Sequence, residues 1–267
     1  MLRFSFPLQA WHGPPNVKWR CVLLCALDFG LAQGIDAAII QLVRAGKIGS
    51  IACLPVSDLW PKSASGLHAY LKTAPKRPIV GLCLAITGPF SPLSTGFAPE
   101  NRDQQGYLPR RTDLARAARR FELDERTLEA EFRAQFRRFT AHLGSSPHFL
   151  VLQPEILYFA AAARAVTGTL AKFDAATLPV ICPLLPQANG WKDKLEKRHI
   201  WRANDHMREP WVRRALMEPP NAERLPPKNS WLQDGKIWTA IRPALPDERL
   251  SRFDPDPLFR VKQMGWL

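Results

Sequence analysis

The chain has 267 residues, 46% of them hydrophobic and 23% charged, which is globular composition and excludes a disordered tail, a collagen or a disulfide knot. No stretch reaches the roughly 18 consecutive apolar residues of a membrane span, and the opening MLRFSFPLQAWHGPP, with one basic residue and an early proline, does not read as a secretory signal. Lys and Arg number 37 against 24 Asp and Glu, a formal charge of +13, so the surface attracts anions, although Arg110-Arg111 and Arg119-Arg120 sit near Asp113, Glu122 and Asp124 in the manner of a generic Arg-rich face.

Residues 1–19, with prolines and two tryptophans, read as an irregular lead-in, and residues 20–267 as a single α/β domain. Cys21 to Ala26 is a continuous apolar run, as expected of a strand buried on both faces, and Leu27-Asp28-Phe29-Gly30 closes it. Ile35, Ile39, Leu42 and Val43 have helical spacing over 34–45, with Gly46 as the stop. A second strand over 48–56, a helix over 59–73 and a third strand over 78–87 complete a β-α-β-α-β order. That order predicts a parallel sheet whose chemistry sits at the C-terminal strand ends. Residues 88–112 read as a long loop. Asp124 is the predicted N-cap of a helix whose Leu128, Phe132, Phe136, Phe139 and Leu143 line one face, read as core, and Gly144 ends it. A strand over 148–153, a helix opened by Pro154 and stopped before Gly168, and a strand over 178–182 follow. Between 183 and 230 periodicity fails in a Pro-, Trp-, Lys- and Arg-rich stretch, read as an irregular insertion. A last strand over 236–241 and a short C-terminal helix from 254 close the chain. Five cysteines without a CxxC pair suit a reduced, cytoplasmic setting.

The segment Leu23 to Ile35 resembles the opening motif of the YdjC-like carbohydrate deacetylases, in which the first strand ends Asn-Ala-Asp-Asp-Phe-Gly-Leu-Ser. Ala45 to Ile51 resembles the turn into the second strand, and Val80 to Thr87 the Val-Gly-Leu-His-Leu-x-Leu-Thr strand. Gln105-Gly106-Tyr107 resembles a Gly-aromatic turn, and Glu131 to Phe139 the Glu-x-x-x-Gln helix before the fourth strand. The likeness is close over about 20–168 and weak over 231–267. It implies a barrel-like parallel sheet with outer helices, here expected to be incomplete or rebuilt between 183 and 230. It also implies a divalent metal (Mg or Zn) that activates water to hydrolyse an amide on a sugar, with a carboxylate base and a second acid.

Held against that pattern, most of the working groups differ. The base position is Leu27, which accepts no proton, and only Asp28 of the aspartate pair remains as a metal ligand. The third-strand histidine falls at Cys83, a poor partner for Mg, and the fourth-strand ligand histidine at Gln153, a weak neutral donor. The histidine after the last strand falls at Arg242, which stays protonated. No catalytic residue is assigned on this basis. The leading reading is a pseudoenzyme without cofactor, in which Asp28, Cys83, Gln153 and Arg242 line a remnant site for a sugar or an anionic small molecule and Arg242 pairs with Asp28 in place of the ion. A second reading keeps metal-dependent deacetylation with a shifted ligand set drawn from Glu155, His148, His199, Asp205 and His206, while His12, His68 and His142 read as scaffold or surface. A third rests on Trp191, Trp201 and Trp211 interleaved with basic residues, a pattern that binds nucleic acid or a lipid surface; nucleic acid is not the expected partner, and the oligomeric state is left open.

Overall fold

In a computed structural model, the structure describes residues 24–97, 103, 105–120, 122–153, 155–156, 159–175, 178–184, 214–217, 238–250, 258, 260–261 and 264. The strands are β1 (Leu24–Phe29), β2 (Ser50–Cys53), β3 (Ile79–Leu84), β4 (Leu150–Leu152), β5 (Val180–Leu184), β6 (Arg214–Met217) and β7 (Trp238–Ile241). All neighbouring pairs are parallel, and β7 returns to β1 with Cys25 opposite Ala240 and Ala26 opposite Ile241, so the sheet closes into a barrel. The described helices are α1 (Gln33–Arg44), α2 (Trp60–Thr73), α3 (Arg111–Arg119), α4 (Glu125–Leu143) and α5 (Ala160–Lys172). The apolar strand runs that predicted burial on both faces are buried: β2 and β4 have every residue inside.

The helices follow their sequence signals with instructive exceptions. In α1 the spaced Ile35, Ile39, Leu42 and Val43 face the barrel. Pro61 sits in the first turn of α2, where its missing N–H leaves no bond unmade. Asp124 caps α4 by accepting from the Arg126 and Thr127 amides, and Gly144 ends that helix at φ 69°. The α4 stripe is core, with Phe136 stacked on Phe173 and Phe139 on Trp60. Helix α5, however, runs through Gly168 instead of stopping before it. A Cβ at Gly168 would lie 2.6 Å from Glu129 Oε2, so the glycine lets α5 press against α4 and marks a close approach, not a terminus.

Two further expectations are corrected. The 88–112 stretch is not all loop, because α3 begins at Arg111; with Leu114 as its one buried residue it lacks the apolar stripe that identifies a helix in sequence. Within the 183–230 stretch, β6 fills the sheet between β5 and β7, with Cys182 opposite Ala215 and Leu216 opposite Trp238. Four residues carry too little pattern to be recognised as a strand, and the barrel is not left open there. The 1–19 lead-in and the 183–230 stretch, apart from β6 and the last two residues of β5, lie outside the described residues.

Candidate functional site at the barrel mouth

Asp28 owes its position to an irregularity in β1. Ala26 pairs with Ile51 and Phe29 with Cys53, so Leu27 and Asp28 together oppose the single residue Ala52. The extra residue is taken up by Asp28 in the left-handed region, φ 66°. Bulges of this kind re-aim one side chain beside a functional mouth. The bulge is locked by Leu31 N–H donating to the Asp28 carbonyl at 3.0 Å and Leu54 N–H to that of Phe29 at 2.8 Å.

The carboxylate thus placed meets two guanidiniums. Arg260 Nη2 donates to Asp28 Oδ2 at 2.7 Å, and Arg242 Nε lies 3.6 Å from the same oxygen. Arg242 follows the last residue of β7, and Arg260 comes from the helical residues near the C-terminus, which are tied back by Ala244 N–H to the Arg260 carbonyl at 3.3 Å. The Arg260 side chain is 6% exposed and that of Arg242 37%. Burial pushes the Asp28 carboxyl up, but the charges of Arg260 and Arg242 outweigh it and hold it below the usual carboxylate range. Arg260 carried no signal in the sequence, since its residue type is common there and its strand partner is 232 positions away.

The other positions at the strand ends have different duties. Gln153, just past β4, turns to the end of β3: its Oε1 accepts from Ile86 N at 2.8 Å, Thr87 N at 3.1 Å and Thr87 Oγ1 at 3.2 Å, while Nε2 donates to the Thr87 carbonyl at 3.3 Å. An amide oxygen has two lone pairs, so three donors leave it nothing for an ion. Cys83 is buried in β3 opposite Val151. Leu27 is core, 2% exposed. Burial pushes the Cys25 thiol up to about 12 and the Cys53 thiol well above its ordinary value, so both are protonated at neutral pH.

The Glu-x-x-x-Gln pair of α4 braces the same mouth. Gln135 accepts from Ala85 N at 3.0 Å and donates to the Ala85 carbonyl at 2.8 Å, clamping the backbone as a strand neighbour would. Glu131, 1% exposed, accepts from the Leu93 and Ser94 amides, each at 2.8 Å, and from Gln135 at 3.0 Å. Burial pushes its carboxyl up, against those hydrogen bonds. On the opposite flank, Asp36 accepts from Gly30 N at 2.6 Å and from the Ser63 hydroxyl, and Asp247 accepts from Gly34 N at 2.6 Å. Burial raises the Asp36 carboxyl to about 6.

The alternative ligands do not converge on Asp28. His148 precedes β4, at the other end of the barrel, and its Nδ1 lies 3.1 Å from the Val80 carbonyl. Glu155 lies 4.0 Å from Arg111 Nε, and His142 contacts the Arg138 carbonyl and the edge of Trp60. His199, Asp205, His206 and the tryptophan-basic stretch over 191–211 lie outside the described residues. Among the described residues no group of three or more His, Cys, Asp or Glu is arranged to hold a metal. The donors at the mouth do not fit a divalent cation either: the carboxylate is engaged by guanidinium and the amide oxygen is saturated.

The family model described as YdjC-like protein matches residues 21–233. The chain belongs to the YdjC-like family. The matched stretch takes in Asp28, Cys83 and Gln153 and stops before Arg242 and Arg260. Among solved structures the YdjC-like fold is shared with an Enterococcus faecalis V583 protein provisionally described as a cellobiose-phosphate cleavage protein. The two are 16% identical with a TM-score of 0.63, over 92% of this chain and 89% of the other. No curated protein matches the chain. No helix among the described residues is long and apolar enough to cross a membrane.

Proposed function

We propose that this YdjC-like protein binds a carbohydrate or anionic small molecule at the barrel mouth and does not carry out metal-dependent amide hydrolysis. The observation that supports the reading is the pair of guanidiniums on Asp28 Oδ2. Hydrolysis of an unactivated amide needs a base for water and an electrophile at the carbonyl. Here Leu27 accepts no proton, and a carboxylate held below its ordinary range is a weaker base than a free one. Arg260 neutralises Asp28 from within the protein. Arg242, more exposed, has a planar fork of N–H donors suited to a sugar hydroxyl, a carboxylate or a phosphate. Asp28 orients that fork, and Gln153 and Gln135 fix the neighbouring strand ends. A cytoplasmic setting belongs to the same proposal, supported by the thiols of Cys25, Cys53 and Cys83.

The test uses the full chain with N-acetylated chitin oligosaccharides. Acetate release, bound metal and equilibrium binding are measured with and without added Mg or Zn. The expected result is sugar binding without acetate release, unaffected by metal, and weakened about tenfold in Arg242→Ala, the loss of one charge-assisted contact. Acetate release abolished by chelation and restored by Mg or Zn overturns the proposal.

A further inference from the structure

Helix α3 stands beside the mouth, because Arg111 reaches toward Glu155, two residues beyond Gln153. Only its Leu114 is buried. At about 100° per residue, Arg116, Arg119 and the C-cap Arg120 fall on the half of the helix turned away from Leu114, whereas Arg110 and Arg111 lie toward the Leu114 side at its N-terminal end. Over 110–122 the chain has five arginines (Arg110, Arg111, Arg116, Arg119, Arg120) against Asp113 and Glu122, and Asp113 is taken by Arg116 at 3.1 Å. Arg110, Arg119 and Arg120 are exposed.

Helix stability explains only part of this distribution. Cations in the last turn suit the helix dipole, which accounts for Arg116 and Arg119. Arg110 and Arg111 stand at the N-cap and first position, where a cation opposes the dipole, and the N-cap makes no side-chain cap hydrogen bond. A sequence that places exposed arginine at both ends of one helix surrounds it with positive charge against local helix preference at its N-terminal end. The nine residues of α3 contain no aromatic, so the helix lacks the stacking platform on which single-stranded nucleic acid is held.

We propose that the cluster of exposed arginines on α3 docks an acidic glycan, a sugar chain bearing carboxylates or sulfate esters, and leads it to the barrel mouth. This rests on the carbohydrate reading above and names its chemical class. Guanidinium forks match both anions in planar, two-point hydrogen bonds. Arg111, 4.0 Å from Glu155, sets the start of this helix near the strand ends, the side from which a ligand enters an α/β barrel.

The test measures binding of the full chain to polygalacturonate, to heparin, to a neutral chitin oligosaccharide and to a short DNA duplex, at low and high salt. The first two probes separate carboxylate from sulfate recognition. The expected result is salt-sensitive binding to at least one acidic glycan, tighter than to the duplex or the neutral sugar. In Arg110→Gln/Arg119→Gln/Arg120→Gln that affinity falls about tenfold, as expected for three exposed charges at a few tenths to one kcal/mol each, while neutral-sugar binding is unchanged. Circular dichroism and the melting temperature report folding; if the triple variant does not fold, Arg119→Gln/Arg120→Gln is used, with a smaller loss expected. Equal binding of neutral and acidic sugars, indifferent to the variant, overturns this proposal and leaves the carbohydrate reading standing. Equal or tighter binding of the duplex overturns it in favour of a general polyanion surface. Binding of no sugar at all overturns both.

Discussion

Asp28 keeps its charge because Arg260 sits against it in a nearly dry position and Arg242 adds a second cation. Removing Arg260 leaves a largely buried carboxylate with its weaker partner. Arg260→Ala is therefore expected to destabilise the fold by on the order of 3 kcal/mol, read by denaturant unfolding at neutral pH. The pH dependence gives a sharper check. A carboxyl held low in the folded state contributes stability that is present above its unfolded pKa and is lost as pH falls through the folded value. In Arg260→Ala the Asp28 carboxyl shifts upward by NMR titration, and this acid-labile contribution shrinks. An unshifted Asp28 in the variant contradicts the clamp. At this scale the sequence is legible where a residue departs from the motif it resembles: Leu27, Gln153 and Arg242 each stand out against that pattern. Arg260 matches no such position, and nothing nearby in the chain announces that it folds back onto Asp28.

Among the elements, legibility follows the amount of repeated pattern. The heptad-like stripe and the Asp124 and Gly144 caps define α4 from residue order alone, whereas α3 has one buried residue and β6 has four residues in all. Glu131 and Gln135 lie on the buried face of α4 among phenylalanines, where a reader of hydrophobic pattern sees two interruptions. Their bonds to Ala85, Leu93 and Ser94 explain the interruption: α4 supplies polar partners for backbone that leaves the sheet. Close approach is equally silent in sequence. A Cβ on Gly81 would lie 2.4 to 2.5 Å from the Phe149 ring, so Gly81→Ala pushes β3 and the residue before β4 apart. The expected loss is about 2 kcal/mol by denaturant midpoint, partly relieved in Gly81→Ala/Phe149→Leu. Equal stability of Gly81→Ala and the native chain refutes the contact.

Across the molecule, the barrel is closed by polar stitching as well as by β7 pairing with β1. Asp36 joins the β1–α1 turn to α2, while Asp247 ties Gly34 to the segment after β7, and Arg249 bonds the Leu31 carbonyl at 3.0 Å and pairs with Asp58. Asp36 is raised to about 6 mainly by burial, with the neighbouring Asp247 charge adding to it. A carboxyl raised in the folded state contributes stability that is full below its unfolded pKa and is lost as pH rises through the folded value. Global stability is thus expected to decline between about pH 4 and pH 6 through this group. Asp36→Asn keeps an acceptor for Gly30 N and flattens that slope in a pH series of melting temperatures; an unchanged slope places the titration elsewhere. The whole-molecule order was the most legible part, since alternating strands and helices allow few sheets, while the identity of the closing partners was not. The Asp28–Arg260 bond joins residues 232 positions apart. A ribosome-bound chain has made its first strand long before Arg260 exists, so the carboxylate lacks its buried partner until residue 260 has been added. Sealing of the mouth therefore waits on a residue made more than two hundred positions after the strand it closes.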